Sequence, residues 1–226
     1  MISIPISNAD LFARAKSFSE FRDRCKLYLT TVGMNYDKFT IVGHDSYIGY
    51  ISEDVIRTYI KSRLPNQGFC VKSWEECCDM KTIYTAVNNN DYSKADIVKK
   101  YFYDAWDIMI KTPKREIHID VKTALTKLEP NDNWNFLYPI VQAHKDGKDY
   151  TILAYCIYKE PNKYIIKIVN VIGYLDNDKI KDCDIIRKGE RTRHNTISQT
   201  DNYDTLLGRD YNELDQLITK IIDEEL

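Results

Sequence analysis

WDIMIKTPKREIHIDVKTA, residues 106–124, decides how this chain is read. Apolar β-formers flank a polar turn of Lys111, Thr112, Pro113, Lys114, Arg115 and Glu116, which predicts a hairpin. Folding about the midpoint sets Asp107 opposite Asp120, Ile108 opposite Ile119 and Ile110 opposite Ile117. Side chains alternate along a strand, and directly opposed residues share a face. One face then holds Ile108, Ile110, Ile117, Ile119 and Val121, which is a core face. The other holds Asp107, Met109, His118, Asp120 and Lys122. Opposed carboxylates repel unless something positive lies between them, and a divalent cation with oxygen ligands is the obvious candidate. A one-residue slip would send the two aspartates to opposite faces, so the reading depends on this register.

An acid–x–Lys triple occurs at Asp79–Lys81, Asp120–Lys122 and Asp146–Lys148. The first lies in a helical pattern, where residues two apart diverge, and the third lies in the turn HKDGKD, 144–149. Only Asp120–Lys122 sits on a predicted strand, where that spacing puts both side chains on one face. The bland alternative is a solvent-facing ion pair worth under about 1 kcal/mol. Metal-assisted catalysis, by contrast, needs clustered carboxylates with water access.

Asp107 followed by Ile-Met-Ile, with Asp120-Val121-Lys122 on the second strand, resembles the PD-(D/E)XK nuclease signature across roughly residues 93–124. Trp106 stands where that family often has proline. Residues 125–149, with Pro130 and Pro139, show no clear helix where the family has one between the lysine strand and the next strand. The resemblance implies that Asp107 and Asp120 ligate Mg²⁺, with the backbone carbonyl of Val121 as a further ligand. It also implies that Lys122 positions the attacking water and offsets charge on the phosphorus. The implied activity is that of a Mg²⁺-dependent type II restriction endonuclease acting on double-stranded DNA. A homodimer would match a palindromic site, an A·T-rich one being an option. Alternatives are a repair or junction-resolving nuclease of the same fold, and a non-catalytic DNA-binding protein. His118 is either a phosphate contact or an exposed strand histidine. Glu53 and Glu76 are either extra carboxylates or, the stronger reading, favourable charge in a helix first turn.

A second stretch, IRKGERTRHNTISQ (186–199), sets Arg187, Lys188, Arg191 and Arg193 against the single acid Glu190. Arginine suits phosphate and guanine edges, and Asn195 and Gln199 suit adenine, so the segment is expected to be a DNA-contacting loop. The net charge of −2 argues against a generally basic coat while leaving room for such a patch. No G-x-S-x-G, G-x4-GK or G-x-G-x-x-G is present, so no nucleotide cofactor is expected.

Working outward, Ser7 and Asp10 have capping-box spacing before a stripe of Leu11, Ala15, Phe18, Arg22, Cys25, Leu29 and Val32. Arg22 in that stripe is expected to snorkel. Further helices are predicted after Ser52, from Ser73 with Glu76, from Ser93 with Asp96, and from about Asp210. The segments 150–158 and 164–172 are apolar on both faces and read as central strands. The expected fold is a single α/β domain, 1–226, with a central mixed sheet flanked by helices, like that of restriction endonucleases. Within it, 1–92 is a helical N-terminal part, 93–175 the catalytic sheet core, and 176–226 the basic loop and C-terminal helix. Without a signal-peptide pattern, a membrane-length apolar run or a C-x2-C pair, the chain reads as a bacterial cytoplasmic protein with reduced, mostly buried thiols.

Overall fold

The computed structural model describes residues 1–6, 8–34, 44–144, 147–193 and 195–225. The chain begins with β1 (Ile2–Pro5), α1 (Ala9–Thr31), α2 (His44–Arg63) and β2 (Cys70–Ser73). It continues with α3 (Met80–Asn89), α4 (Ala95–Phe102), β3 (Ile108–Lys111) and β4 (Glu116–Thr126). Next come β5 (Asn135–Pro139), α5 (Ile140–Ala143), β6 (Tyr150–Lys159) and β7 (Asn162–Asp176). The chain closes with β8 (Asp184–Ile186), β9 (Asn202–Leu206), α6 (Leu207–Asp210) and α7 (Leu214–Glu225).

Six strands form a mixed sheet in the order β1-β7-β6-β4-β3-β2, flanked by helices. The pairings are antiparallel except β4 with β6. β6 and the second half of β7, Val169–Leu175, are buried on both faces, whereas Tyr164 and Ile165 in the first half of β7 are exposed, so that half of the apolar run is not a central strand. Helices α2 and α7 pack Ile51, Ile56, Ile60, Leu217 and Ile221 against one face. On the other, Leu153, Tyr155 and Ile172 meet Leu207 and Trp134. A second sheet, β5-β9-β8, packs Tyr138 and Tyr203 against Leu175. Parallel strands need a long connection. Here, between β4 and β6, it contains β5 and the one-turn α5, with Pro139 as the residue before the helix.

The hairpin pairs Ile108 with Ile119, Met109 with His118, and Ile110 with Ile117, the expected register. All four isoleucines are at most 1 % exposed, so burial locks the register. Truncating Ile119 to Ala would cost about 2–5 kcal/mol.

Several boundaries differ from the sequence reading. α2 starts at His44, and Ser52 lies inside it, fully buried with Oγ 3.2 Å from the Cys156 sulfur. Ser73 and Glu76 do exchange hydrogen bonds, Ser73 N–H to Glu76 Oε2 at 2.7 Å and Glu76 N–H to Ser73 Oγ at 3.4 Å. That box closes a single 3-10 turn, and α3 instead starts behind Asp79, which accepts from Thr82 N–H. Ser7 lies outside the described residues; Asn8 caps α1. α7 begins at Leu214, and Leu214, Leu217, Ile218 and Ile221 are buried in the main core, so this helix closes the core. The N-terminal part also lends two edge strands, β1 and β2, too short to show a period of their own. Arg22 does not snorkel: it is buried, 3.3 Å from Asp104 and stacked over Phe102 at 4.6 Å. All six cysteines are free, but only Cys25 and Cys156 are buried. No described helix is long and apolar enough to cross a membrane.

Candidate active site

The hairpin register carries the motif residues to one place. Asp107 stands one step before β3, its N–H donating to Ile119 O at 2.9 Å and its carbonyl accepting from Trp74 N–H at 3.2 Å. Its Oδ2 accepts Val121 N–H at 2.5 Å. Asp120 and Lys122 share a face of β4, and Lys122 Nζ lies 2.9 Å from Asp120 Oδ2 and 3.1 Å from Oδ1.

Two further groups close on Asp120. The hydroxyl of Tyr138, on β5, donates to Oδ2 at 3.0 Å. Lys148 Nζ reaches Oδ1 at 2.8 Å. Lys148 belongs to the third acid–x–Lys triple, read from sequence as a plain turn; its partner in that triple, Asp146, lies outside the described residues. Nothing in the spacing marks Lys148, because the contact depends on the long connection returning beside β4.

The electrostatics separate the two aspartates. Burial works against the Asp120 charge, but Lys122 and Lys148 outweigh it and hold the carboxyl well below the usual range. Among the described residues no cation is in contact with Asp107. Burial, then Asp120 and Asp104, push its carboxyl up to about 7. Lys122 is above the ordinary lysine range, burial being outweighed by Asp120, Tyr138 and Asp107. Lys148 goes the other way, because burial outweighs its Asp120 partner.

Glu53 joins them from the middle of α2. With α2 starting at His44, this residue is not a first-turn charge, and the reason for preferring that reading falls away. Glu53 makes no hydrogen bond or ion pair among the described residues, and burial followed by Asp107, Glu75 and Asp104 raises its carboxyl well above the usual value. It lines a cavity of about 250 Å³ together with Asp54, Arg57, Glu75, Glu76 and Asp107. Glu76 is occupied by Arg57 at 2.9 Å.

A divalent cation fits this donor set. Glu53 and Asp107 are hard oxygen donors starved of positive charge, which is the chemistry Mg²⁺ satisfies. Among the described residues no three His, Cys, Asp or Glu side chains are already grouped at metal-ligand spacing, and Asp120 is held by lysines. Val121 presents its N–H to Asp107.

The His118 ring stacks on Trp106, centroids 4.9 Å apart and planes 5° apart, and the His118 backbone N–H donates to Asp149 Oδ2. The basic segment stands apart from the carboxylates, on the small sheet. Arg187 pairs with Asp201 at 3.3 Å, and Arg193 pairs with the buried Asp204 at 2.7 Å. Arg191 donates to Asn195 Oδ1 at 2.6 Å, Lys188 N–H donates to Asp201, and Gln199 Nε2 donates to Ile197 O. Asn195 has a left-handed backbone at φ 59°, and His194 lies outside the described residues. The link to the site is the sheet itself, since β5 carries Tyr138 to Asp120 and pairs with β9, which carries Asp204.

Compared with known proteins, the chain matches no protein-family model, no curated protein and no solved structure.

Proposed function

We propose that this protein is a Mg²⁺-dependent endonuclease of the PD-(D/E)XK type, hydrolysing phosphodiesters in double-stranded DNA. The observation that carries the reading is the convergence of Asp107, Asp120 and Lys122 on one hairpin, with Glu53, which has no hydrogen-bond or ion-pair partner among the described residues, lining the same cavity as Asp107. Asp107, Asp120 and Glu53 would hold the cation, which when bound supplies an activated water and offsets charge at phosphorus. The chain's own part is positioning. Asp107, tied to Val121 N–H, fixes its carboxylate relative to Asp120 across the hairpin. Lys122 places a cation on the same face, where it meets the negative charge that develops on the phosphorus oxygens. Asp120 is 5 % exposed and the Lys122 side chain 19 %, and the low dielectric around such buried groups strengthens their interactions.

A restriction enzyme, working as a homodimer on a palindrome, is the form of this activity we favour. A second form has its own support: Arg187 and Arg193 are engaged with acids, which leaves less of the basic segment free to read bases. That favours recognition of DNA shape, as in a repair or junction nuclease. Incubation of linear duplex and branched DNA with Mg²⁺, resolved on a gel, separates the forms. Discrete duplex fragments support restriction, cuts confined to branch points support the second form, and intact DNA of both kinds overturns the nuclease reading.

A further inference from the structure

Asp120 is surrounded by more positive charge than a strand carboxylate needs. A carboxylate offers about four lone-pair positions. Four contacts fill them here: Lys122 on both oxygens, Lys148 on Oδ1 and Tyr138 on Oδ2. An oxygen so engaged has no position left for a further ligand. The two lysines are not equivalent. The Lys148 side chain is 2 % exposed, whereas that of Lys122 is 19 % exposed. Lys148 is also fixed from behind. Its neighbour Asp149 donates its N–H to His118 O at 2.8 Å and accepts His118 N–H at 2.8 Å, which pins the segment to β4 two residues from Asp120. Burying a lysine is costly unless it has a charged partner, and among the described residues the acid paired with this one is Asp120, with the Gln142 carbonyl also accepting from it at 3.4 Å.

We propose that Lys148 is a positioning residue of the centre: it holds Oδ1 of Asp120 permanently, so that Lys122 can leave the carboxylate for the substrate phosphate. With Lys122 gone, Oδ1 keeps Lys148, Oδ2 keeps Tyr138, and each oxygen regains one free lone pair without the carboxylate losing its orientation. Asp120 then becomes able to take a cation while remaining neutralised. Tyr138 alone could not do this, because it carries no charge. This inference rests on the nuclease reading.

The test compares wild type, Lys148→Met, Lys148→Arg and the Lys148→Met/Lys122→Met double variant. Duplex affinity is measured in Ca²⁺ and single-turnover cleavage in Mg²⁺, with urea unfolding of each protein alongside. Lys148→Met is expected to slow cleavage by roughly 10²-fold, while duplex affinity stays within about twofold. Lys148→Arg, which keeps the charge, is expected to recover most of that loss. In the double variant the two losses should not multiply, since both lysines act through one carboxylate. Should Lys148→Met fail to unfold cooperatively, Lys148→Gln takes its place with the same expectation. A folded Lys148→Met or Lys148→Gln that cuts as fast as wild type marks the ion pair as purely structural and overturns the proposal. A loss of duplex affinity matching the loss of rate makes Lys148 a phosphate contact and overturns it too. A wild type that cuts nothing removes the nuclease reading and this inference together, whereas wild-type cleavage with an unaffected variant removes the inference alone.

Discussion

Oδ2 of Asp107 accepts the backbone N–H of Val121 at 2.5 Å, tying the residue before β3 to the middle of β4. Asp107 therefore commits one oxygen to the hairpin, while the residue lines the cavity it shares with Glu53. The carboxyl is held near neutral pH by burial and by Asp120, so this arrangement is sensitive to acid and to cations.

The first prediction concerns pH. An acid raised from 3.8 to about 7 binds more protons in the folded chain than in the unfolded chain between those values. Folding stability in the absence of divalent ions therefore falls as pH rises through that window. Glu53 shifts in the same direction. Chemical unfolding in a chelating buffer, from about pH 5 to about pH 8, should show this fall, and Asp107→Asn should flatten it. A wild-type profile that rises across the window would mean that Asp107 is ionised and already compensated.

Metal addition gives the second prediction. A ligand that binds the folded chain stabilises it by mass action. Mg²⁺ should raise the thermal midpoint at about pH 8 and do so much less at about pH 5, where the ligands hold their protons. Glu53→Gln should weaken the effect at the higher pH. Equal midpoints with and without Mg²⁺ at about pH 8 would count against a cation at these carboxylates.

Asp120 and Lys122 are expected to fail differently. Asp120→Ala strands Lys148 and Lys122 beside each other without their acid, and breaking a buried pair costs about 3–5 kcal/mol. Stability falls along with activity, a cost that the hairpin pattern alone did not foretell. Lys122→Ala should bind duplex about as tightly as wild type, with cleavage slowed on the order of 10²–10³-fold. Normal cleavage with poor binding would mean that Lys122 serves substrate binding and not the transition state.

In the basic segment, the arginines should divide by partner. Arg193 neutralises Asp204, which is 3 % exposed, so Arg193→Ala should cost roughly 1–3 kcal/mol of stability through the uncompensated acid. Among the described residues the Arg191 side chain hydrogen-bonds the nearby Asn195 and no acid, so Arg191→Ala should leave stability nearly unchanged. It should weaken binding to all duplexes alike and lower the salt slope by about one unit. Replacing Asn195 or Gln199 should cost roughly 1–3 kcal/mol on a cognate site and much less on random DNA. Unfolding curves and isotherms at several salt concentrations decide both halves.

The hairpin was legible because its information is local. The alternation of Ile108, Ile110, Ile117 and Ile119 about one turn sets the register, and the register sets Asp107, Asp120 and Lys122. β6 and the Val169–Ile172 part of β7 were legible for the same reason, while the exposed Tyr164 and Ile165 were read as buried because an apolar run looks the same whether or not it is covered. What sequence missed depends on distant segments meeting. Lys148 and Tyr138 reach Asp120 only because β5 and the residues that lead into β6 lie beside β4. Glu53 was visible but discounted, since Ser52 imitated a helix cap; its hydroxyl faces Cys156 instead. Arg193 reads as a free cation until β9 supplies Asp204.

The most direct measurement is single-turnover cleavage of a long duplex by wild type and by Asp120→Asn, which keeps the shape of the side chain and removes its charge, with Mg²⁺ and with chelator. Wild type is expected to cleave in Mg²⁺ and not in chelator, and the Asp120→Asn protein to fold, bind duplex and cut at least about 10²-fold more slowly. Cleavage by a folded Asp120→Asn at the wild-type rate, or by wild type in chelator, would contradict the nuclease reading.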